Sequence, residues 1–376
     1  MSLGVARRGF CLLPTACVFG QNDVRFDAAF AIAEQSSKNG GLIIQHKGKV
    51  LYQRYFGLGH REATPNTASC GKMFTSVAMG ILMEERRDLF PEGLDQKIYT
   101  PRYLPAEAFP VNDPAKSEIR LGQLLAMSAG IRGNNPCYVH GRQVTIDPTG
   151  PDGAPAMRDS TAFGVSLWCR PGEGYSYATS SIHLVSVIVR HVTGMELEEY
   201  VREKLANPLN WGPWSFAYKN ANLGHTPGGG GIALRARDML RFGTLLLDKG
   251  EWGGKQIIPR GYVGHCAKAS PYNPHYPYSL QFEVNSDGHL SGVPRDAFWK
   301  SGSGGHALYV VPSMDLVIWK LGGRDEQYAT SNTGLPASPA KPDAARASFR
   351  PAEGIGDGVR PLLKKVVSGF GTMQLR

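Results

Sequence analysis

Thr67-Ala68-Ser69-Cys70-Gly71-Lys72-Met73-Phe74-Thr75-Ser76 sets a serine and a lysine three positions apart at the head of an apolar run. If Ser69 opens a helix, its side chain and that of Lys72 lie one turn apart on one face, within hydrogen-bonding reach. An amine beside a hydroxyl activates a weak nucleophile, because it or its relay takes the proton. The helix N-terminus adds backbone N–H groups where negative charge would develop. Met73 to Met83 is apolar on nearly every side, so the pattern predicts a helix buried all round. Glu84-Glu85-Arg86-Arg87-Asp88 returns the chain to water. A serine three residues before a lysine is common by chance, and by itself it reads equally as an N-cap with a solvated lysine.

Working outward, Val24 to Lys38 carries apolar residues at helical spacing. Leu42–His46 and Lys49–Phe56 read as two strands around a Lys47-Gly48 turn. From Leu89 to about Asn220 prolines are frequent and helices short. Asn134 to Arg158 reads as a long surface loop of the kind that often carries function. Ile182–Val192, Leu197–Leu205 and Arg237–Leu247 are helical in period. Tyr278–Val284, His306–Val311 and Leu316–Leu321 are strand candidates, and Val359–Phe370 is a closing helix. Arg324 to Gly354 reads as a poorly structured excursion. Helix and strands at both ends, with a helical insert between them, predict an α+β fold: an antiparallel β-sheet flanked by helices. The expected division is residues 20–90 plus 222–376 for the sheet part and 91–221 for the inserted, mostly helical part, with the active site between them.

The chain has 376 residues, 42% hydrophobic and 19% charged, which fits a globular protein with a sizeable core. Its net charge of +9 is scattered rather than gathered on one motif, so a nucleic-acid partner is not expected. No apolar run is long enough to span a bilayer. Six cysteines, none in C-x-x-C spacing, read as free thiols. Cys70 is a rival nucleophile beside Ser69, without the flanking motif of a cysteine hydrolase. Arg7–Leu13 faintly resembles a twin-arginine export signal, but Pro14 interrupts it. A cytoplasmic protein is therefore expected, with periplasmic export the alternative if the natural N-terminus is truncated.

Two further stretches complete a site. Pro171-Gly172-Glu173-Gly174-Tyr175-Ser176-Tyr177-Ala178-Thr179 precedes the Ile182 helix. A tyrosine beside an ammonium has a depressed pKa, so Tyr177 is a candidate general base towards Ser69. Thr179 is placed to contact Lys72 and substrate. Trp299-Lys300-Ser301-Gly302-Ser303-Gly304-Gly305-His306 offers a strand lysine followed by small residues, against which a substrate backbone can lie. Acyl transfer needs two N–H donors aimed at the oxyanion, and those of Ser69 and Ser303 are the candidates. Tyr138, Trp168, Tyr272, Tyr276 and Tyr278 are candidate walls of an apolar pocket, about half of them expected merely to pack.

The ordered trio at 69/72, 177 and 300–302 resembles the serine β-lactamase and penicillin-binding protein superfamily. The tyrosine variant is similar to its class C β-lactamase branch, with the D,D-peptidases, family VIII carboxylesterases and 6-aminohexanoate-dimer hydrolases. The resemblance covers about Gly41 to Gly322 and implies a β-lactamase/transpeptidase-like fold. It implies Ser69 as acylated nucleophile, Lys72 and Tyr177 as its proton-handling partners, and Lys300 as the residue that binds a substrate carboxylate. Ser301, Gly302, Ser303 and Thr179 complete the substrate and oxyanion contacts. No metal and no organic cofactor are implied. Thr179 stands where the lactamases of this branch carry asparagine, which weakens a lactamase reading, and Lys300 is kept where many esterases and oligomer hydrolases have another residue, which weakens a plain esterase one; the balance leans slightly to esterase-like chemistry. The expectation is a serine hydrolase forming an acyl-enzyme on a small ester, amide or lactam. The alternative is a penicillin-recognising sensing domain that is acylated without turnover.

Overall fold

The computed structural model describes residues 22–218, 221–337 and 346–371. Its centre is a six-stranded antiparallel sheet in the spatial order Glu283–Val284, Phe298–Gly302, His306–Val311, Leu316–Leu321, Gly40–His46, Lys49–Phe56. The strand from the front of the chain therefore lies beside one from near its end, Ile43 opposite Trp319. This closes the sheet from both ends, as the arrangement of helix and strand candidates requires.

The period of two along these strands sorts their side chains onto two faces. Leu42, Ile44, Trp299, Tyr309 and Ile318 join Phe26, Phe30, Leu362 and Val366 in one core. There Asp27–Ser36 and Val359–Gly369 cover the sheet. Ile43, Phe298, Leu308, Val310 and Trp319 face the other way, into a larger core built with Phe74, Val77, Ile182, Val185, Met239 and Phe242. Lys300 stands two residues beyond Phe298 and so belongs to this second face, the one carrying the Ser69 helix.

That helix is Gly71–Glu85, entered through a 3-10 turn at Ala68–Cys70, and every residue from Gly71 to Leu82 is buried. Thr179–Thr193 packs beside it, ended by Gly194 in the left-handed conformation at φ 72°. Ala236–Leu247 lies against the sheet. The helix expected to follow Leu197 is α-helical only over Leu197–Val201 and continues as a π-turn, Arg202–Ala206.

Two stretches differ from expectation. Asn134 to Arg158 is not one loop: Asn134–Val139 and Arg142–Val144 form a hairpin, and Asn134–Val139 also pairs with Tyr175–Tyr177. These three strands form a small sheet that the excess of polar, glycine and proline residues conceals. The excursion after Arg324 begins with two short helices, Asp325–Tyr328 and Thr330–Thr333. Part of it lies outside the described residues, as do Arg7–Leu13, Cys11 and Cys17. Cys70, Cys137, Cys169 and Cys266 are free thiols. No described helix is long and apolar enough to cross a membrane.

Glycine lets the sheet approach the Ser69 turn. A Cβ on Gly302 would strike the Thr67 carbonyl oxygen and crowd the Cys70 nitrogen and sulfur. We expect Gly302→Ala to cost about 1–3 kcal/mol, the usual range for overpacking, read as a lowered denaturation midpoint. Gly254→Ala, in a turn with nothing within contact distance of the added carbon but φ 75°, calibrates the cost of strain alone.

Candidate active site

Ser69 is presented by a strained turn. Ala68 adopts φ 49°, a left-handed conformation unusual for a residue with a Cβ. It is held there by its N–H donating to Asn66 Oδ1 at 2.9 Å. Thr67 is anchored by its N–H and its hydroxyl, both donating to the Ile232 carbonyl at 3.0 and 2.7 Å. Between buried Ala68 and buried Cys70, Ser69 alone is partly exposed. One turn on, Lys72 Nζ donates to Ser69 Oγ at 3.0 Å.

Tyr177 comes from the last position of its short strand, directly before the helix that opens at Thr179. Its phenol receives hydrogen bonds from the Ser69 hydroxyl and from Lys300, the latter at 3.1 Å. Lys72 Nζ lies 5.4 Å and Lys300 Nζ 4.9 Å from the centre of its ring. Burial works to raise the Tyr177 pKa. The two ammonium groups and these hydrogen bonds outweigh it and hold the phenol below the ordinary tyrosine value. Burial lowers the Lys72 pKa; Lys300 lowers it further, and Tyr177 and Asp152 oppose the shift.

The four residues Ser69, Lys72, Tyr177 and Lys300 are thus brought together, as are Gly302, which packs on the Ser69 turn, and Ser303 in the turn that follows it. The remaining expected contacts are engaged elsewhere. Lys300 is only 2% exposed. Its ammonium donates to Tyr177 and, at 2.7 Å, to Tyr278. These two bonds use two of the three donors of an ammonium. The Ser301 side chain alternates to the other face and donates to Glu283 at 3.1 Å. Thr179 Oγ1 donates to Asp152 Oδ1 at 3.3 Å rather than to Lys72. Asp152 is the residue sequence reasoning missed: Pro151-Asp152-Gly153 has the composition of an ordinary turn. Tyr278 appears among the expected pocket walls, but its hydrogen bond to Lys300 was not foreseen. Of the other aromatic candidates, Tyr138 and Tyr276 cluster with Tyr175, at 6.2 and 4.8 Å between ring centres. Tyr272 rests on Gly122 and Trp168 on Gly174. Cys70 is no rival: its thiol is buried, points to the Lys300 carbonyl and is pushed up to about 12 by burial.

The Ser303-Gly304-Gly305 turn is pinned at three successive carbonyls. Gln327 donates to Ser303 O at 3.1 Å, Ser37 to Gly304 O at 3.1 Å, and Lys320 to Gly305 O. Gly304 and Gly305 have φ of 93° and 84°, which glycine alone adopts readily. Lys320 is fully buried and its pKa is lowered by that burial to about 7. A neutral amine has two N–H donors, which match its two acceptors, Gly305 O and Ser37 Oγ.

Asp159, His183 and His225 are the one group among the described residues whose ligand atoms lie close enough to surround a cation, all within 4.8 Å. They are already satisfied by one another and by the protein. Arg190 pairs with Asp159, His183 bonds it at 3.0 Å, and His225 donates to Met157 O at 2.8 Å. The guanidinium supplies the positive charge that a metal would bring.

With this geometry in place, comparison with known proteins becomes informative. The family model described as Beta-lactamase matches residues 28–332. The chain belongs to the beta-lactamase family. No curated protein matches its sequence. Solved structures share its fold. A putative 6-aminohexanoate-dimer hydrolase from Bacillus anthracis is 20% identical with a TM-score of 0.64, covering 92% of this chain and 82% of that one. EstCE1, a hydrolase with promiscuous acyltransferase activity, is 15% identical with a TM-score of 0.64, over 92% and 97%. A class C beta lactamase from Rhodobacter sphaeroides is 18% identical with a TM-score of 0.55, over 80% and 94%. This beta-lactamase-family chain therefore shares its architecture with proteins named as a dimer hydrolase, a hydrolase with acyltransferase activity and a class C beta lactamase.

Lys320 generates a pH prediction. Its folded pKa lies below that of the unfolded chain, so between pH about 7 and the ordinary lysine value the unfolded state binds more protons. Its burial is costly below that window and the cost fades as pH rises through it. The stability of wild type relative to Lys320→Met should therefore increase from pH 7 to pH 10 in denaturant titrations; a flat difference would show that Lys320 keeps an ordinary pKa.

Proposed function

We propose that this protein is a serine hydrolase that cleaves a small ester, amide or lactam through an acyl-enzyme on Ser69. The observation that carries the reading is the meeting at one point of a hydroxyl, a phenol and two ammonium groups from three distant segments. Tyr177 as phenolate accepts the Ser69 proton while Oγ attacks the substrate carbonyl carbon. The electron pair displaced onto the carbonyl oxygen is met by the backbone N–H groups of Ser69 and Ser303. Tyr177 then returns the proton to the leaving oxygen or nitrogen as its bond to carbon breaks. A water, deprotonated in turn by Tyr177, releases the acid and restores Ser69. Lys72 holds Ser69 in place and, with Lys300, keeps the phenolate form accessible. Asp152 and Thr179 brace the loop beside Lys72.

The structural neighbours named above support hydrolysis as the kind of reaction. The engagement of Thr179 by Asp152 favours the esterase-like side, since that hydroxyl is not offered to a substrate amide.

Labelling with a fluorophosphonate followed by intact-mass measurement should give one adduct on wild type and none on Ser69→Ala. An equal adduct on both would overturn the assignment. Ser69→Ala and Tyr177→Phe should each lose at least ~100-fold in turnover of a p-nitrophenyl ester. The pH dependence has a definite sign. A base must be deprotonated, so kcat/KM rises with pH up to the Tyr177 pKa. Removing the cation that lowers it most, as in Lys300→Met, should move that acid limb to higher pH. A limb that stays in place would exclude Tyr177 as the base.

A further inference from the structure

Beside the Ser69 turn is a cavity of about 180 Å³ whose wall includes Ala68, Ser303, Tyr218, Arg324, Glu326 and Asn332. It is smaller than the ~300–1,000 Å³ of sites that enclose a drug-sized ligand, so it suits one small group rather than a whole substrate. Two of its lining residues flank the reacting centre: Ala68 precedes the nucleophile, and Ser303 carries an oxyanion donor. Tyr218 ties it to the same centre, because its phenol lies within electrostatic reach of Tyr177, Asp152 and Arg324. Tyr218 is also held at φ 69°, a strained conformation for an aromatic residue. Such strain gathers at ligand-binding positions.

The wall carries both signs of charge. Arg324 and Glu326 both line the cavity, yet they do not pair with each other, and neither forms an ion pair with any described residue. Both side chains are exposed, and opposite charges free of one another can meet a ligand that carries both. Lys300, the cation expected to hold a carboxylate, is buried and donates to two phenols. The cation available at the mouth of the site is Arg324, an exposed guanidinium whose planar donors suit a carboxylate.

We propose that this cavity is a substrate subsite for an amino-acid group, with Arg324 receiving its carboxylate and Glu326 its ammonium; the proposal rests on the hydrolase reading for its role in turnover. The substrate is then an ester or amide whose group on this side of the scissile bond is zwitterionic, for instance an O-acyl hydroxy-amino acid. Asn332, anchored by donation to the Glu326 carbonyl at 3.2 Å and by accepting from Asn66 at 2.9 Å, is a fixed part of the same wall.

The test has a kinetic and a binding arm. In the first, wild type is given O-acetylserine and O-acetylhomoserine beside the matched acetate esters lacking the carboxylate, the ammonium or both. One zwitterionic ester should exceed each analogue at least about 10-fold in kcat/KM. Arg324→Gln should erase the carboxylate preference and Glu326→Gln the ammonium preference, both through KM. Equal rates across the series, or variants that depress all esters alike, overturn the subsite. In the second arm, serine and homoserine are titrated calorimetrically into Ser69→Ala with and without Arg324→Gln. Binding that Arg324→Gln weakens at least about 10-fold supports the subsite even if the fluorophosphonate adduct fails and the hydrolase reading falls. A normal adduct with neither binding nor preference leaves the hydrolase standing and removes the subsite.

Discussion

Two buried ammonium groups share one phenol, and the rest of the site follows from making that tolerable. Lys72 and Lys300 are 3% and 2% exposed. Taking an ion out of water costs several kcal/mol, and two like charges close together add repulsion. What offsets this is a set of partners contributed by separate parts of the chain: Ser69 for Lys72, Tyr177 and Tyr278 for Lys300. The cheapest further relief is a negative charge between them, and Tyr177 can provide it by losing its proton. The lowered phenol pKa is thus the same fact as the stability of the lysine pair, seen from the other side. In the proposed mechanism that same phenol is the base.

That demand fixes the backbone. The Ser69 turn must touch the edge of the sheet closely enough for a lysine on the strand to reach a tyrosine from the inserted part. Gly302 removes the Cβ that would hold Thr67 away, and Gly71 removes the one that would strike the Gly230 carbonyl. The strained φ of Ala68 then aims the serine outward while its neighbours stay buried. Behind the oxyanion turn, Gln327, Ser37 and Lys320 hold three carbonyls in a row, so the peptide that presents the Ser303 N–H has little freedom to rotate. Electrostatic stabilisation of an oxyanion depends on donors already in position, because reorienting them during reaction consumes the gain.

How much of this was legible beforehand follows from the range of each interaction. Ser69 and Lys72 are neighbours by helical geometry alone, so their pairing could be read locally. The sheet strands were legible from alternation and the buried helices from their period. The hairpin at Asn134–Val144 was not, because its strands are short and polar. It holds together through Tyr175–Tyr177, which pairs with it from some forty residues away. For the same reason the motif shows that the Lys300 side chain faces the site but not its neighbours there. Only the fold brings Tyr278 within 2.7 Å of it. Asp152 lay hidden in a turn whose composition explains itself without any site.

The occupied lysine changes where recognition has to happen. A cation that donates to two buried phenols is tuned to control their protonation, and drawing it towards a ligand would weaken the field that lowers Tyr177. Catalysis and binding would then compete for one ammonium. Placing the recognising charges outside, on the short helical segment after the last sheet strand, removes the conflict. Arg324 and Glu326 can meet a substrate without altering the charges on which the base depends. The same segment supplies Gln327, which holds the Ser303 carbonyl. A ligand engaging the outer pair would therefore sit on the segment that also holds the Ser303 turn.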